Sequence, residues 1–222
     1  MPVQLVRQPD VEALARHAAR DLVSTIHETR EQRGVAHVGL AGGTTPMRCY
    51  ELLDSQLADW TGVHLWYGDE RCVPYDDPES NHGQVKERLR ARGAIWHPMP
   101  ATLGPAEGAI EYSREMGPTI LDIIQLGMGP DGHTASLFPH HPVLDAQGVA
   151  VGITDSPKPP PDRITLTLPK INSSRRIVLL VAGEGKSEAL ARAMGTPDRG
   201  TPASLLDRSK LLIMADNAAL PA

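Results

Sequence analysis

The chain has 222 residues, enough for one large domain with a filled core and short for two, so a single domain over residues 1–222 is expected. Its 41% hydrophobic and 22% charged residues exclude a disordered chain, and a net charge of −5 offers no basic face for nucleic acid. An anionic small molecule is still compatible, because it responds to the local field of its site rather than to the total charge.

Residues 3–8 (VQLVRQ) read as a short edge strand. Val11, Leu14, Ala15, Ala18, Leu22 and Ile26 recur at i+3 and i+4, which predicts an amphipathic helix over 10–32, ending near Gly34. Residues 35–43 (VAHVGLAGG) read as a buried strand running into a helix, TTPMRCYELLDSQ, with Pro46 in its first turn. Residues 63–70 (VHLWYGDE) read as the next strand, followed by a polar loop and the helix HGQVKERLRAR, for which Ser80 or Asn81 can supply the cap. A helix over 106–118 precedes a strand over 121–129. Strands then follow at 149–154, 163–169, 176–183 and 210–216, with a helix at 185–194. The stiff, Pro-rich loop 155–163 separates two strands placed to pair antiparallel. Strands alternating with helices predict an α/β fold with an open, mostly parallel sheet.

Aromatic residues make up only 4% of the chain, so Ala, Val, Leu and Ile must build the core. Cys49 and Cys72 have neither metal-type spacing nor the numbers for a disulfide framework, which fits a reducing cytoplasm. The first residues carry no basic stretch leading into an apolar one, and no apolar run approaches the roughly 20 residues of a membrane span. A soluble, cytoplasmic protein is expected.

Ligands of open α/β sheets collect at the carboxyl ends of the strands. Four loops qualify, at 42–45, 68–71, 127–133 and 183–186, and each joins glycine to polar chemistry. In the first, Gly42, Gly43, Thr44 and Thr45 lie between a strand and a helix start, where free N–H groups and hydroxyls suit a phosphate or carboxylate; a tight turn with a threonine cap is the plainer alternative. In the second, Arg71 can grip a phosphate bidentately, while Asp69 or Glu70 can orient it, contact hydroxyls or do acid–base work, against the plain alternative of a salt-bridged turn. In the fourth, Lys186 falls in the first turn of a helix, where the dipole disfavours a cation unless an anion is bound there.

The third loop, GMGPDGHTASLFP over 127–139, contains G-x-G-x-x-G, the dinucleotide fingerprint. That fingerprint needs its third glycine to open a long helix, and Pro139 follows Gly132 by seven residues. The alternative is a platform for His133, a general base with a reference pKa near 6.5, with Asp131 fixing its tautomer or binding substrate. The other histidines show no H-E-x-x-H spacing, so no metal is expected.

Together AGGTTPMRCYELL, GDERCVPYDDPESN, GMGPDGHTASLFP, RITLTLPKINSSRRIVLLVAGEGKSEAL and PASLL are collinear with, and resemble, the 6-phosphogluconolactonase family. The resemblance implies hydrolysis of 6-phospho-D-glucono-1,5-lactone in the oxidative pentose phosphate pathway, on an open doubly wound sheet with a small additional subdomain. It implies His133 as the base that activates water, and Arg71 and Lys186 as phosphate anchors with Gly42, Gly43, Thr44 and Thr45. It also implies ring-hydroxyl contacts near Asn81. No cofactor is implied, and the expected ligand is the lactone alone, bound by a monomer without nucleic acid or membrane. A lactone is an activated ester, so general-base help and oxyanion donors suffice without a serine or cysteine nucleophile.

Two other readings stand beside it. Glucosamine-6-phosphate deaminase shares the fold, but its resemblance would need D-E-Y where this chain has DER, and an acid after the histidine where it has SLFP. A silent sugar-phosphate sensor would need a partner-binding module, and residues 1–34 offer one strand and one helix.

Overall fold

The computed structural model describes residues 3–221. Strand β1 (Gln4–Gln8) gives way at Asp10, whose carboxylate accepts the Ala13 N–H at 2.7 Å and caps α1 (Val11–Arg33). Gly34 closes that helix at φ 77°, the left-handed conformation that lets its N–H reach the Arg30 carbonyl. Of the predicted apolar stripe, only Val11, on the first turn, is left in solvent, 45% exposed.

Strands β2 (Ala36–Leu40), β3 (Val63–Tyr67), β5 (Ile95–Trp96), β6 (Ile123–Gly127), β9 (Ile177–Val181) and β10 (Leu211–Asp216) join β1 in a parallel sheet of order β1-β10-β9-β6-β2-β3-β5. The helices α2 (Thr44–Gln56), α3 (Asn81–Arg88), α4 (Gly104–Met116) and α6 (Ser187–Met194) fall between strands. From β2 the chain winds outward through β3 to β5, then returns to β6 beside β2 and winds the other way through β9 and β10. The doubly wound sheet is as expected, and the β2/β6 boundary is its topological switch point, where diverging loops leave a crevice.

A second sheet, antiparallel and of order β4-β8-β7, is made by β4 (Asp69–Arg71), β8 (Arg163–Leu166) and β7 (Ala150–Ile153). The expected antiparallel pair is there, with Val151 opposite Thr165. One hydrophobic cluster runs from the main sheet to Ile153, Ile164 and Leu166 of the small one.

Several element boundaries differ from expectation. Residues 63–70 are two strands rather than one: the Gly68 N–H bonds Leu40 O at 2.9 Å in the main sheet, while Gly68 O accepts from Leu166 N at 2.8 Å in the small one. The chain changes ladders at that residue. Residues 163–169 are not all strand; Thr167 Oγ1 accepts the Lys170 N–H at 3.2 Å and caps α5 (Leu168–Ser173), with Pro169 in its first turn. The strand expected over 35–43 stops at Leu40, and Gly43, at φ 95°, turns the chain into α2.

Candidate active site

The four loops picked from the sequence meet at the switch point. Residues Gly42, Gly43, Thr44, Thr45, Asp69, Arg71, Asn81, His133 and Lys186 line one cavity of 360 Å³, and Asp131 stands behind His133. A wider depression of 680 Å³ lies at the far end of α1, where Arg30 is already engaged by Asp59 at 2.9 Å, and it contains none of the four loops.

At the first loop no described side chain caps α2, so the first N–H groups of the helix stay unpartnered within it, and this helix start lines the cavity. Gly42 is held by close approach: a Cβ there would sit 1.9 Å from Asn81 Oδ1. Asn81 Nδ2 donates to Asp69 O at 2.9 Å and to Asp69 Oδ1 at 3.2 Å. Its Oδ1 is buried with no partner among the described residues.

The two acids of the second loop have different jobs. Asp69 turns to the cavity and accepts from Ser136 Oγ at 2.7 Å. Glu70 is 1% exposed and turns inward, taking the N–H groups of Arg71, Asn81 and His82 at 2.7 Å each, plus Ser80 Oγ at 3.2 Å. Burial pushes its carboxyl up and the three N–H bonds oppose that. Glu70 thus pins the start of α3 to β4 and fixes where Asn81 and Arg71 stand. Arg71 Nη1 donates to Glu79 O at 2.6 Å, while its Nε is buried without a partner among the described residues.

The third loop folds back on itself, with Gly129 N–H bonded to His133 O at 2.9 Å and Thr134 Oγ1 to Gly127 O at 2.9 Å. It forms no helix at all, where Pro139 had excluded only a long one, and His133 stands on the folded-back loop. A Cβ on Gly129 would lie 2.1 Å from the His133 ring. His133 Nδ1 lies 2.5 Å from Asp131 Oδ1, so the carboxylate accepts the Nδ1 proton and leaves the Nε2 lone pair free. Burial alone would raise the Asp131 carboxyl, but the bond to and charge of His133, with Lys158 adding to them, hold it well below the usual carboxylate range.

At the fourth loop Lys186 ends a short 3-10 turn (Glu184–Lys186) just ahead of α6, rather than sitting inside the first turn of a helix over 185–194. Burial pushes its ammonium down, Lys158 adds to that, and Asp131 opposes it.

Two charged cavity residues escaped the sequence reading. Lys158 and Arg163 belong to the loop read as solvated, and the antiparallel excursion folds that loop over the switch point. Arg163, only 4% exposed, donates to the carbonyls of Pro160 at 3.0 Å, Pro159 at 3.0 Å and Lys158 at 3.2 Å. Arg71, Lys158, Arg163 and Lys186 give the cavity a positive field within a chain of net charge −5.

Such a cavity, with a His–Asp pair beside cations and an open helix start at the switch point of a doubly wound sheet, is suited to an anionic small molecule on an α/β scaffold. The family model described as glucosamine-6-phosphate isomerases/6-phosphogluconolactonase matches residues 9–214, and the chain belongs to that family. It is 40% identical to a 6-phosphogluconolactonase of Mycobacterium tuberculosis, over 86% of this chain and 85% of the other. It is 37% identical to one of Streptomyces coelicolor, over 97% of this chain and 93% of the other. The structure of a 6-phosphogluconolactonase from Shewanella baltica superposes with a TM-score of 0.88 at 29% identity, covering 96% and 97% of the two chains. A monomeric glucosamine-6-phosphate deaminase, at 23% identity and a TM-score of 0.81 over 97% and 98%, shares the fold. The lactonase resemblance read from the motifs is borne out. No helix among the described residues is long and apolar enough to cross a membrane.

Proposed function

We propose that the chain hydrolyses 6-phospho-D-glucono-1,5-lactone to 6-phospho-D-gluconate, the lactone-opening step of the oxidative pentose phosphate pathway. The observation that carries this reading is the His133–Asp131 pair facing a cation-lined cavity, in a chain 40% identical to a 6-phosphogluconolactonase. Arg71 and Lys186, with the open N–H groups around Thr44 and Thr45, take the phosphate. Asp69 and Asn81, whose Oδ1 lacks a donor, meet the ring hydroxyls.

With the phosphate anchored, the lactone carbonyl is presented to a water beside His133. Nε2 takes a proton from that water as its oxygen bonds to C1, and the carbonyl pair moves onto oxygen. Asp131 stabilises the imidazolium so formed. Collapse of the tetrahedral species breaks the bond from C1 to the ring oxygen, which receives the proton from His133, giving a carboxylic acid that ionises and a free hydroxyl. General-base help of about 10²–10⁴-fold suits an ester that already opens unaided.

The same reading makes the chain a single domain acting as a monomer in a reducing cytoplasm. One core cluster spans both sheets, which supports the single domain, and Cys49 and Cys72 are free cysteines, which suits a reducing compartment. The test is turnover of freshly generated lactone against its spontaneous rate, with glucosamine 6-phosphate in a parallel arm. Lactone opening well above the blank without ammonia release is expected. Ammonia release would replace the reading with the deaminase, and binding of phosphogluconate without turnover would replace it with a sensor.

A further inference from the structure

Lys158 reaches the site from outside the four loops, and three observations converge on it. Its Nζ lies 3.2 Å from Asp131 Oδ2, while the other carboxylate oxygen holds His133 Nδ1 at 2.5 Å. Its backbone carbonyl and those of the next two residues are gripped by the buried Arg163 guanidinium at 3.0–3.2 Å. Its side chain also lines the cavity beside His133. From these we infer that Lys158 is a positioning residue that completes a Lys158–Asp131–His133 relay and sets the pH range over which His133 works as a base. The inference rests on the assignment of His133 as that base.

Asp131 has two oxygens and two cationic partners. With Lys158 on Oδ2, the carboxylate cannot rotate away from the imidazole, and half of its charge is answered before His133 takes a proton. A carboxylate that served His133 alone would pull the imidazole toward the charged form, and an imidazolium is no base. Lys158 restrains that pull and adds direct repulsion against the imidazolium. The other charged groups facing the relay are Lys186, from the turn before α6, Arg71 and Asp69, from β4, and Arg163, from β8. Lys186 and the two arginines act on His133 in the same direction as Lys158 and Asp69 acts against them. Lys158 is the one that contacts Asp131 itself. The Arg163 grip matters because an exposed lysine on a free loop would pay side-chain and loop entropy to hold this geometry. Here the backbone at 158–160 is already held.

Lys158→Met keeps the aliphatic stem and removes the charge, and Lys158→Arg restores it. The pH dependence of kcat/KM for the lactone is measured for both, with His133→Ala alongside, and the His133 ring proton is titrated by NMR in the free proteins. In Lys158→Met the acid limb and the ring titration are expected to move together to higher pH, with KM changed less than about three-fold. Lys158→Arg is expected to return both most of the way. An unmoved ring titration in Lys158→Met overturns the inference, and if KM rises alone Lys158 is a phosphate contact instead. Should His133→Ala retain near-normal turnover, it is the assignment of the base that fails. The ring titration still reports on the Lys158 contact in that case.

Discussion

Gly129→Ala separates the geometry of the base from the fold around it. Gly129 is not in the left-handed backbone region, so alanine brings no backbone strain. The new methyl would lie 2.1 Å from both Cε1 and Nδ1 of His133 and 2.5 Å from Asp131 Oδ1. Ordinary contact begins at 3.4 Å, so the ring must retreat by 3.4 − 2.1 = 1.3 Å, and the carboxylate must move with it. A displacement of about 1 Å at a reacting group costs about 10²-fold. The ring can yield toward the cavity, so stability is expected to fall by only about 1–2 kcal/mol, or roughly 2–8 °C in Tm for a chain of this size. The assay is kcat/KM on fresh lactone, corrected for spontaneous opening, with thermal unfolding on the same samples. Gly185→Ala is the control, because a Cβ there meets nothing within 4 Å and the residue neighbours Lys186. Gly129→Ala with kcat/KM within three-fold of the parent would refute the view that His133 is held in one working position.

Three further outcomes are expected. Burial first, and the Lys86 charge second, push the His82 imidazole down to about 4, and burial first lowers His37 and His64 as well. The unfolded chain therefore takes up protons before the folded one, so stability is full above about pH 6.5 and falls as pH drops toward 4; about 1–2 kcal/mol should be lost between pH 7 and 5, after allowing for solvent screening, and a urea midpoint that rises on acidification would contradict this. Ser136→Ala removes the hydroxyl that donates to the buried Asp69 at 2.7 Å, with an expected cost of about 1.5–3 kcal/mol in chemical denaturation. A loss below about 0.5 kcal/mol would mean that Asp69 finds another donor. Burial pushes the Cys49 thiol up to about 12, and burial with Asp162 and Glu70 pushes Cys72 up to about 11, so a disulfide reagent at pH 8 should label neither in the native protein and both in urea.

How far the sequence could be read followed from the physics of each signal. His133, Arg71 and the 42–45 turn were legible because glycine interrupts apolar runs at the carboxyl ends of strands, and those ends converge in an open α/β sheet. Gly68 marked a strand end but gave no warning of a second sheet: the polar DER after it reads as a loop, and only its pairing with Leu40 on one side and Leu166 on the other reveals two ladders. The capped start of α5 at Thr167 was masked by the alternation of RITLTL, which fits a strand equally well. At two residues, β5 is too short to show any period. Lys158 and Arg163 were hidden for a different reason. A Pro-rich segment with a lysine reads as a solvated loop, and only the pairing of β8 with both β4 and β7 folds it over the switch point.

The most direct test of the central claim is single-turnover hydrolysis of freshly generated 6-phosphogluconolactone by the parent protein and by His133→Ala, with binding of 6-phosphogluconate measured on both. The account requires binding to persist within a few-fold while the chemical step falls by about 10²–10⁴-fold. A His133→Ala protein that still opens the lactone at near the parent rate would contradict it.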